Sequence, residues 1–249
     1  MSLFGKLFKK KEIELDPCDL SVLGTDVHSH FIPGIDDGAK SIEDSLNMIR
    51  SMAEFGYKKV ITTPHIMSDY YRNTPEIINN GLAKVKEAIA KEGIQIEIEA
   101  AAEYNLDADF EPKIKSKELL TFGDNYALFE LPFLMEPPNL KNAIFEMQMN
   151  GYKPVLAHVE RYPFWFKDFD KILEIKDRGV FIQLNINSLT GFYGPEVQAT
   201  GEKLIDEGLV DLLGSDCHHM GHIELLENAR KKPYLHKAIE LPDLINKKV

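Results

Sequence analysis

The strongest constraint on this chain is a repeated pairing: a short β-branched or apolar run, then an amphipathic helix. Seven runs read as strands: Val22 to His28, Lys58 to Thr63, Ile94 to Ala102, Asn125 to Leu131, Tyr152 to Ala157, Val180 to Asn185 and Leu209 to Leu213. Ser41 opens the first helix with a Ser-x-x-Asp signature to Asp44. Ile42, Leu46, Ile49 and Met52 then share one apolar face before Gly56. Thr74-Pro75 opens a second helix that runs to about Lys91. Helices beginning at Leu140, Asp168 and Pro195 are closed by Gly151, Gly179 and Gly208, and a last one covers Ile223 to Lys231. Repeated βα units place strands parallel, in an open doubly wound sheet or a closed barrel. A length of 249 residues fits one such domain. No Pro/Gly/Ser-rich linker and no repeat divides the chain. Residues 1–20 are expected to be a flexible basic extension and 21–249 a single domain.

In α/β folds the chemistry sits at the C-terminal ends of the strands. Five of the eight histidines fall there: His28, His30, His65, His158 and His218. Glu103, Glu130 and Asp216 fall there too, and Asp37 follows shortly after His30. A lone histidine is usually a packed core residue. That explanation fails for a set recurring at the same end of successive strands. Imidazole and carboxylate without thiolate suit Mn²⁺, Zn²⁺ or Fe. A single catalytic zinc takes about three protein ligands. Nine candidates therefore imply two or three clustered ions, an arrangement that serves phosphate-ester hydrolysis. Asp36-Asp37-Gly38 also has the composition of an ordinary turn. His219, His222 and His236 are expected at the surface or behind the ligands. Alternation aims Cys217 away from Asp216 and His218, as a buried thiol.

The formal net charge of −11, from 29 basic and 40 acidic residues, argues against nucleic acid as a partner. Neither Cys18 nor Cys217 has an arginine at the spacing of a cysteine-phosphatase loop, and there is no nucleotide-binding glycine motif. No apolar run is long enough to span a membrane, and the start lacks a signal-peptide pattern. The chain is expected in the cytoplasm. Leu3, Phe4, Leu7 and Phe8, flanked by Lys6 and Lys9 to Lys11, offer at most a weak contact with the inner-membrane surface.

The ordered motifs His28-x-His30, Thr63-Pro64-His65, His158 and Ser215-Asp216-x-His218 resemble those of the polymerase and histidinol phosphatase (PHP) superfamily. His30 to Gly38 (HFIPGIDDG) and His158 to Tyr162 (HVERY) narrow the resemblance to the CpsB/CapC-type bacterial tyrosine-protein phosphatases of capsular polysaccharide synthesis. Val159 and Cys217 stand where that family usually has Pro and Ala, and neither position is a ligand. The resemblance implies a distorted seven-stranded (β/α) barrel with a trinuclear site. One metal would be held by His28, His30, Glu103 and Asp216. A second would use Glu103, Glu130 and His158, and a third Asp37, His65 and His218. Manganese is the first choice, with Fe or Zn as alternatives. The implied reaction is phosphotyrosine hydrolysis by a metal-activated water. Arg161 would bind phosphoryl oxygens, and Asp216 and His218 would act in catalysis. Apart from the resemblance, Asn187 to Gly194 (NSLTGFYG), with two glycines and two aromatics after the sixth strand, suits a mobile loop beside the site; Tyr193 would bind the substrate ring, with Phe192, Tyr70 and Tyr71 as further candidates. The implied partner is the phosphorylated tail of an exopolysaccharide-system tyrosine kinase. A small-molecule phosphomonoesterase such as histidinol phosphatase is the nearest alternative, and an inactive regulatory module is the alternative of another class.

Overall fold

A computed structural model describes residues 15–249. The N-terminal stretch with membrane-contact character, Leu3 to Lys11, lies outside the described residues. Leu15 to Leu20, the described end of the expected extension, lies on the domain. Cys18 N donates to Arg230 O at 2.9 Å, Leu20 N donates to Phe55 O at 3.1 Å, and Leu20 is fully buried.

Every ladder between the named strands is parallel. One sheet joins β1 (Thr25–Asp26), β2 (Lys59–Thr62) and β4 (Glu97–Ala100). The other joins β3 (His65–Ile66), β5 (Glu103–Asn105), β6 (Tyr126–Glu130), β7 (Lys153–Leu156), β8 (Phe181–Asn185) and β9 (Leu212–Gly214), in that order. The result is a curled parallel sheet in two parts, where the sequence led us to expect seven unbroken strands. The physical cause is local. Thr63-Pro64 separates β2 from β3, and Pro64 has no N–H to give the ladder. Ala101-Ala102 makes the matching break between β4 and β5. Ala101 N still donates to Thr62 O, and Glu103 N to Pro64 O, so the paths stay side by side. The first strand is also shorter than expected. Leu20–Val22 forms a 3-10 turn, and Gly24 turns the chain at φ 75 before β1 starts.

The helices are α1 (Ile42–Glu54), α2 (Pro75–Glu92), α3 (Phe110–Ser116), α4 (Leu140–Met149), α5 (Asp170–Asp177), α6 (Pro195–Asp206), α7 (Met220–Ala229) and α8 (Pro233–Ile239). The caps follow the sequence reading. Ser41 Oγ accepts from Asp44 N at 3.1 Å, and Thr74 Oγ1 accepts from Ile77 N at 3.3 Å ahead of Pro75. The short α3 and α8 were not expected, because a seven-residue helix shows too little periodicity to read. No helix among the described residues is long and apolar enough to cross a membrane.

The core has two parts. Helices pack over one sheet face through residues such as Met48, Ile78, Phe129, Leu156 and Leu184. A smaller cluster fills the inside of the curl, where Val27, Ile61, Ala101, Leu128, Val155, Ala157 and Leu212 meet. Period-two alternation then fixes the next layer: Glu130 follows Leu128 on the inner face of β6. The apolar plug thus forms a dry floor directly beneath the polar strand ends.

Candidate active site

The last turn of each strand path delivers one or two polar side chains. A parallel bridge pairs Ser29 with Cys217. His30 N donates to Cys217 O at 2.9 Å, and Asp216 N donates to His28 O at 2.8 Å, which sets His28 and His30 beside Asp216 and His218. His65 opens β3 directly opposite Glu103 of β5. Glu130 closes β6, and His158 follows β7. Both His158 (φ 34) and Asp216 (φ 49) sit in the left-handed region that non-glycine residues avoid. Such strain costs about 1–3 kcal/mol per residue and concentrates at functional positions.

Nine side chains expected from the sequence converge here. His28 Nε2 lies 3.2 Å from Glu103 Oε2 and 3.3 Å from Asp216 Oδ1. His30 Nε2 lies 3.4 Å from His28 Nε2 and 3.5 Å from Asp216 Oδ1. His158 Nε2 lies 2.9 Å from Glu103 Oε1 and 3.7 Å from Glu130 Oε2. His65 Nδ1 lies 3.1 Å from Glu103 Oε2 and 3.4 Å from Glu130 Oε1. Asp37 Oδ1 is 3.6 Å from both His65 Nε2 and His218 Nε2. Three overlapping groups have ligand atoms within 4.8 Å of one another: His28, His30 and Asp216; His65, Glu103 and Glu130; and His30, Asp37, His65 and His218.

This donor set fits divalent cations. Glu103 Oε2 and His65 Nδ1 are buried without a hydrogen-bond partner, yet they face each other. Leaving two such atoms unsatisfied is costly, and a shared cation would satisfy both. Without metal the field is tense. Burial disfavours the His28 imidazolium, but the carboxylates of Glu103 and Asp216 outweigh it and lift its pKa to about 9. Burial also disfavours charge on Glu103 and Asp216, yet the surrounding imidazoles hold both well below the usual carboxylate range. His218 is drawn the other way: burial and the His30 ring lower it to about 4.

A layer behind these side chains orients them. His30 Nδ1 is 2.8 Å from Asp36 Oδ2, which also accepts from His65 N at 3.1 Å. The buried Asp36 is therefore the orienting residue, while Asp37, 55% exposed, faces the cluster. Gly38 allows this turn, because a Cβ there would lie 2.3 Å from His30 O. On β8, Gln183 Oε1 lies 3.0 Å from His28 Nδ1 and accepts from His158 N at 2.9 Å. Gln183 Nε2 donates to Asn185 Oδ1, and Asn185 Nδ2 donates to Asp216 Oδ2 at 2.7 Å. Asn185 is legible in the sequence as a strand end, whereas Gln183 is not. The available signal was two polar residues alternating inside an otherwise apolar strand. Asp26, two residues before His28, takes two hydrogen bonds from Ser215.

Above the cluster lies a cavity of about 460 Å³. Arg161 is the one Lys or Arg side chain lining it among the described residues. Its Nη1 donates to Asp216 Oδ2 at 3.0 Å, while the Oε1 of its neighbour Glu160 accepts from Ser188 Oγ and Asn185 N. The guanidinium lies 4.5 Å from the Tyr193 ring centre and 5.1 Å from that of Phe133. Tyr71 stacks on His65 at 5.6 Å, whereas Tyr70 is mostly exposed. Phe133 was not foreseen. It stacks on His158 at 5.8 Å and forms one wall. His219 and His222, expected in the background, also line the cavity. His236 is elsewhere, with Nε2 3.0 Å from Arg230 O. The first half of the NSLTGFYG stretch, expected as a mobile loop, belongs to a 3-10 helix, Ile186–Thr190, in which Ile186 to Leu189 are buried. Cys217 is buried as expected, its Sγ 3.7 Å from Met48 Sδ.

Comparison with known proteins gives concordant matches. A family model described as "Capsular polysaccharide synthesis, CpsB/CapC" matches residues 24–246. The tyrosine-protein phosphatase YwqE of Bacillus subtilis is 28% identical over 196 residues, covering 78% of this chain and 77% of that one. A solved structure from work on YwqE of Bacillus subtilis and CpsB of Streptococcus pneumoniae, described as metal-dependent tyrosine phosphatases, superposes with a TM-score of 0.75 at 26% identity, covering 86% of this chain and 84% of that one. A histidinol phosphate phosphatase from Lactococcus lactis shares the fold at a TM-score of 0.50 and 13% identity, over 83% of this chain and 93% of that one.

Proposed function

The chain belongs to the CpsB/CapC family of capsular polysaccharide synthesis, and from that premise we propose that it is a metal-dependent protein-tyrosine phosphatase. The observation that carries the reading is the convergence of three overlapping His/carboxylate groups beneath a cavity with a single arginine at its edge.

We assign His28, His30, Glu103 and Asp216 to one metal, Glu103, Glu130 and His158 to a second, and Asp37, His65 and His218 to a third. The separations above support this grouping, and the close approach of His65 to Glu103 and Glu130 lets it serve between the second and third positions. Manganese is the proposed metal, because mixed imidazole and carboxylate donors suit it. When bound, such ions neutralise phosphoryl oxygens and acidify a water. The chain's own residues do the rest. Arg161 presents a planar fork to two phosphoryl oxygens. Asp216 and the two flanking rings hold that fork in place. His218 acts through its place at the floor of the cavity, its Nδ1 2.9 Å from Asp216 O. Tyr193 and Tyr71 form the sides against which a substrate ring packs.

The two sheet parts are proposed to form one distorted seven-segment barrel. The Ser29–Cys217 bridge between the first and last segments supports closure. The proposed substrate is a phosphotyrosine of an exopolysaccharide-system kinase, in line with the family's role. The proposed location is the cytoplasm. Both cysteines are free, which suits a reducing compartment, and any inner-membrane contact rests on residues outside those described.

The test uses chelator-stripped protein reloaded separately with Mn²⁺, Zn²⁺ or Fe²⁺. Phosphate release is measured from a phosphotyrosyl peptide, a phosphoseryl peptide and histidinol phosphate. Metal-dependent turnover with a clear preference for phosphotyrosine is expected. Preference for histidinol phosphate, or no metal dependence, overturns the reading.

A further inference from the structure

The segment between Glu130 and α4 carries large apolar side chains that no other described residue covers. Leu134 is 96% exposed and Met135 66% exposed. Single exposed apolar residues are ordinary, but adjacent ones held at the mouth of a site call for a reason. The loop is pinned on both sides of its tip. Leu131 N donates to Tyr162 Oη at 2.9 Å, and Glu136 Oε2 accepts from Trp165 Nε1 at 2.9 Å. Pro132 stiffens the stretch between these pins, and Pro137 and Pro138 stiffen the chain directly after it. Phe133, next to the tip, is already part of the cavity wall through its contacts with His158 and Arg161. The exposed tip is therefore continuous with the cavity.

We infer that Leu134 and Met135 form a docking rim for apolar residues adjacent to the phosphotyrosine of a protein substrate. The inference rests on the phosphotyrosine reading and adds a sequence preference to it. A phosphoryl group on the cavity floor and a ring against its walls leave the peptide backbone at the mouth. There the neighbouring residues meet the rim. A pinned loop loses little conformational freedom on contact, so its apolar area counts toward affinity. The net charge of −11 works in the same direction, since acidic flanks are repelled at long range.

The test compares the wild-type protein with the double variant Leu134→Ser/Met135→Ser on three substrates: para-nitrophenyl phosphate, a phosphotyrosyl peptide with Leu and Met neighbours, and one with Ser and Gly neighbours. Wild type is expected to favour the apolar peptide in kcat/KM by about tenfold, the scale of partly burying two such side chains. The double variant is expected to lose that preference and keep its para-nitrophenyl phosphate turnover within about twofold. Retained preference in the variant overturns the rim. So does a variant that changes only the oligomeric state by light scattering, or only the binding to anionic vesicles. Failure of wild type on all three substrates overturns the phosphatase reading instead. Turnover of all three without a peptide preference overturns the rim alone.

Discussion

Asp36 Oδ2 sits 2.8 Å from Nδ1 of His30, and this contact fixes which imidazole nitrogen faces the other ligands. With Nδ1–H donated to the carboxylate, Nε2 keeps its lone pair for the cluster. The pairing is strong: burial would raise the Asp36 pKa, but the His30 ring outweighs it and holds the carboxyl at about 2. Asp36→Asn keeps the size but can present its amide the wrong way, freeing the ring. Orienting partners of this kind typically account for 10–100-fold in metal affinity. A loss of about that size is expected in metal titrations, with the fold intact by circular dichroism. Unchanged affinity would remove Asp36 from its orienting role.

Arg161 is held by Asp216 and two aromatic rings, so its contribution should be geometric as well as electrostatic. Arg161→Ala is expected to lower kcat/KM for phosphotyrosine by about 10²–10³-fold, the scale of losing one charge-stabilising donor. Metal content by elemental analysis should be unchanged, because the residue holds no ion. Arg161→Lys should restore little, since an ammonium cannot form the fork or stack between rings. Full activity in either variant excludes Arg161 from the site. His158→Ala should lower both activity and metal content.

The convergent histidines and carboxylates were legible in the sequence because all but Asp37 sit at or next to a strand end, where period-two alternation and the following turn leave little freedom. The turn Asp36-Asp37-Gly38 shows the limit. Composition marks it as a turn, but only the tertiary path decides that Asp36 points at His30 while Asp37 points at His65 and His218. Gln183 and Phe133 were missed for related reasons. The buried amide of Gln183 acts through a residue 155 positions away. Phe133 looks apolar and structural until His158, in its left-handed conformation, brings a ring beneath it. The expected strands end where the breaks fall, at Thr63 and Ala102; the resumption beyond them escaped notice because β3 and β5 span only two and three residues, too few to show alternation.

Asp26 offers a test of stability that is separate from ligand binding. Burial raises its pKa from 3.8 to about 7, against the hydrogen bonds from Ser215. In the metal-free protein it is therefore protonated when folded and ionised when unfolded between those values. The associated stability is fully present below about pH 4 and is lost as pH rises through about 7. Three pH units at ~1.4 kcal/mol each bound the loss at about 4 kcal/mol. Asp26→Asn removes the buried charge and can still accept from Ser215 N. Its melting temperature relative to wild type is expected to rise between pH 5 and pH 8. A constant difference across that range would show that Asp26 does not titrate there.

The His28 shift predicts that protons and metal compete. Its folded, metal-free pKa of about 9 lies above the ordinary value of 6.5, because Glu103 and Asp216 outweigh the effect of burial. The proton's contribution to stability is thus fully present below about pH 6.5 and is lost as pH rises through about 9. A metal requires the deprotonated nitrogen, so binding at neutral pH must release that proton. Raising pH from 6.5 to 9 should therefore tighten metal binding and widen the melting-temperature gap between loaded and stripped protein. Titration calorimetry in buffers of differing ionisation enthalpy should report roughly one or more protons released per chain at pH 7, and fewer at pH 9.5. Proton release that stays flat across this range would mean that His28 is already neutral in the empty site, and that Glu103 and Asp216 draw their stabilising charge from the other histidines.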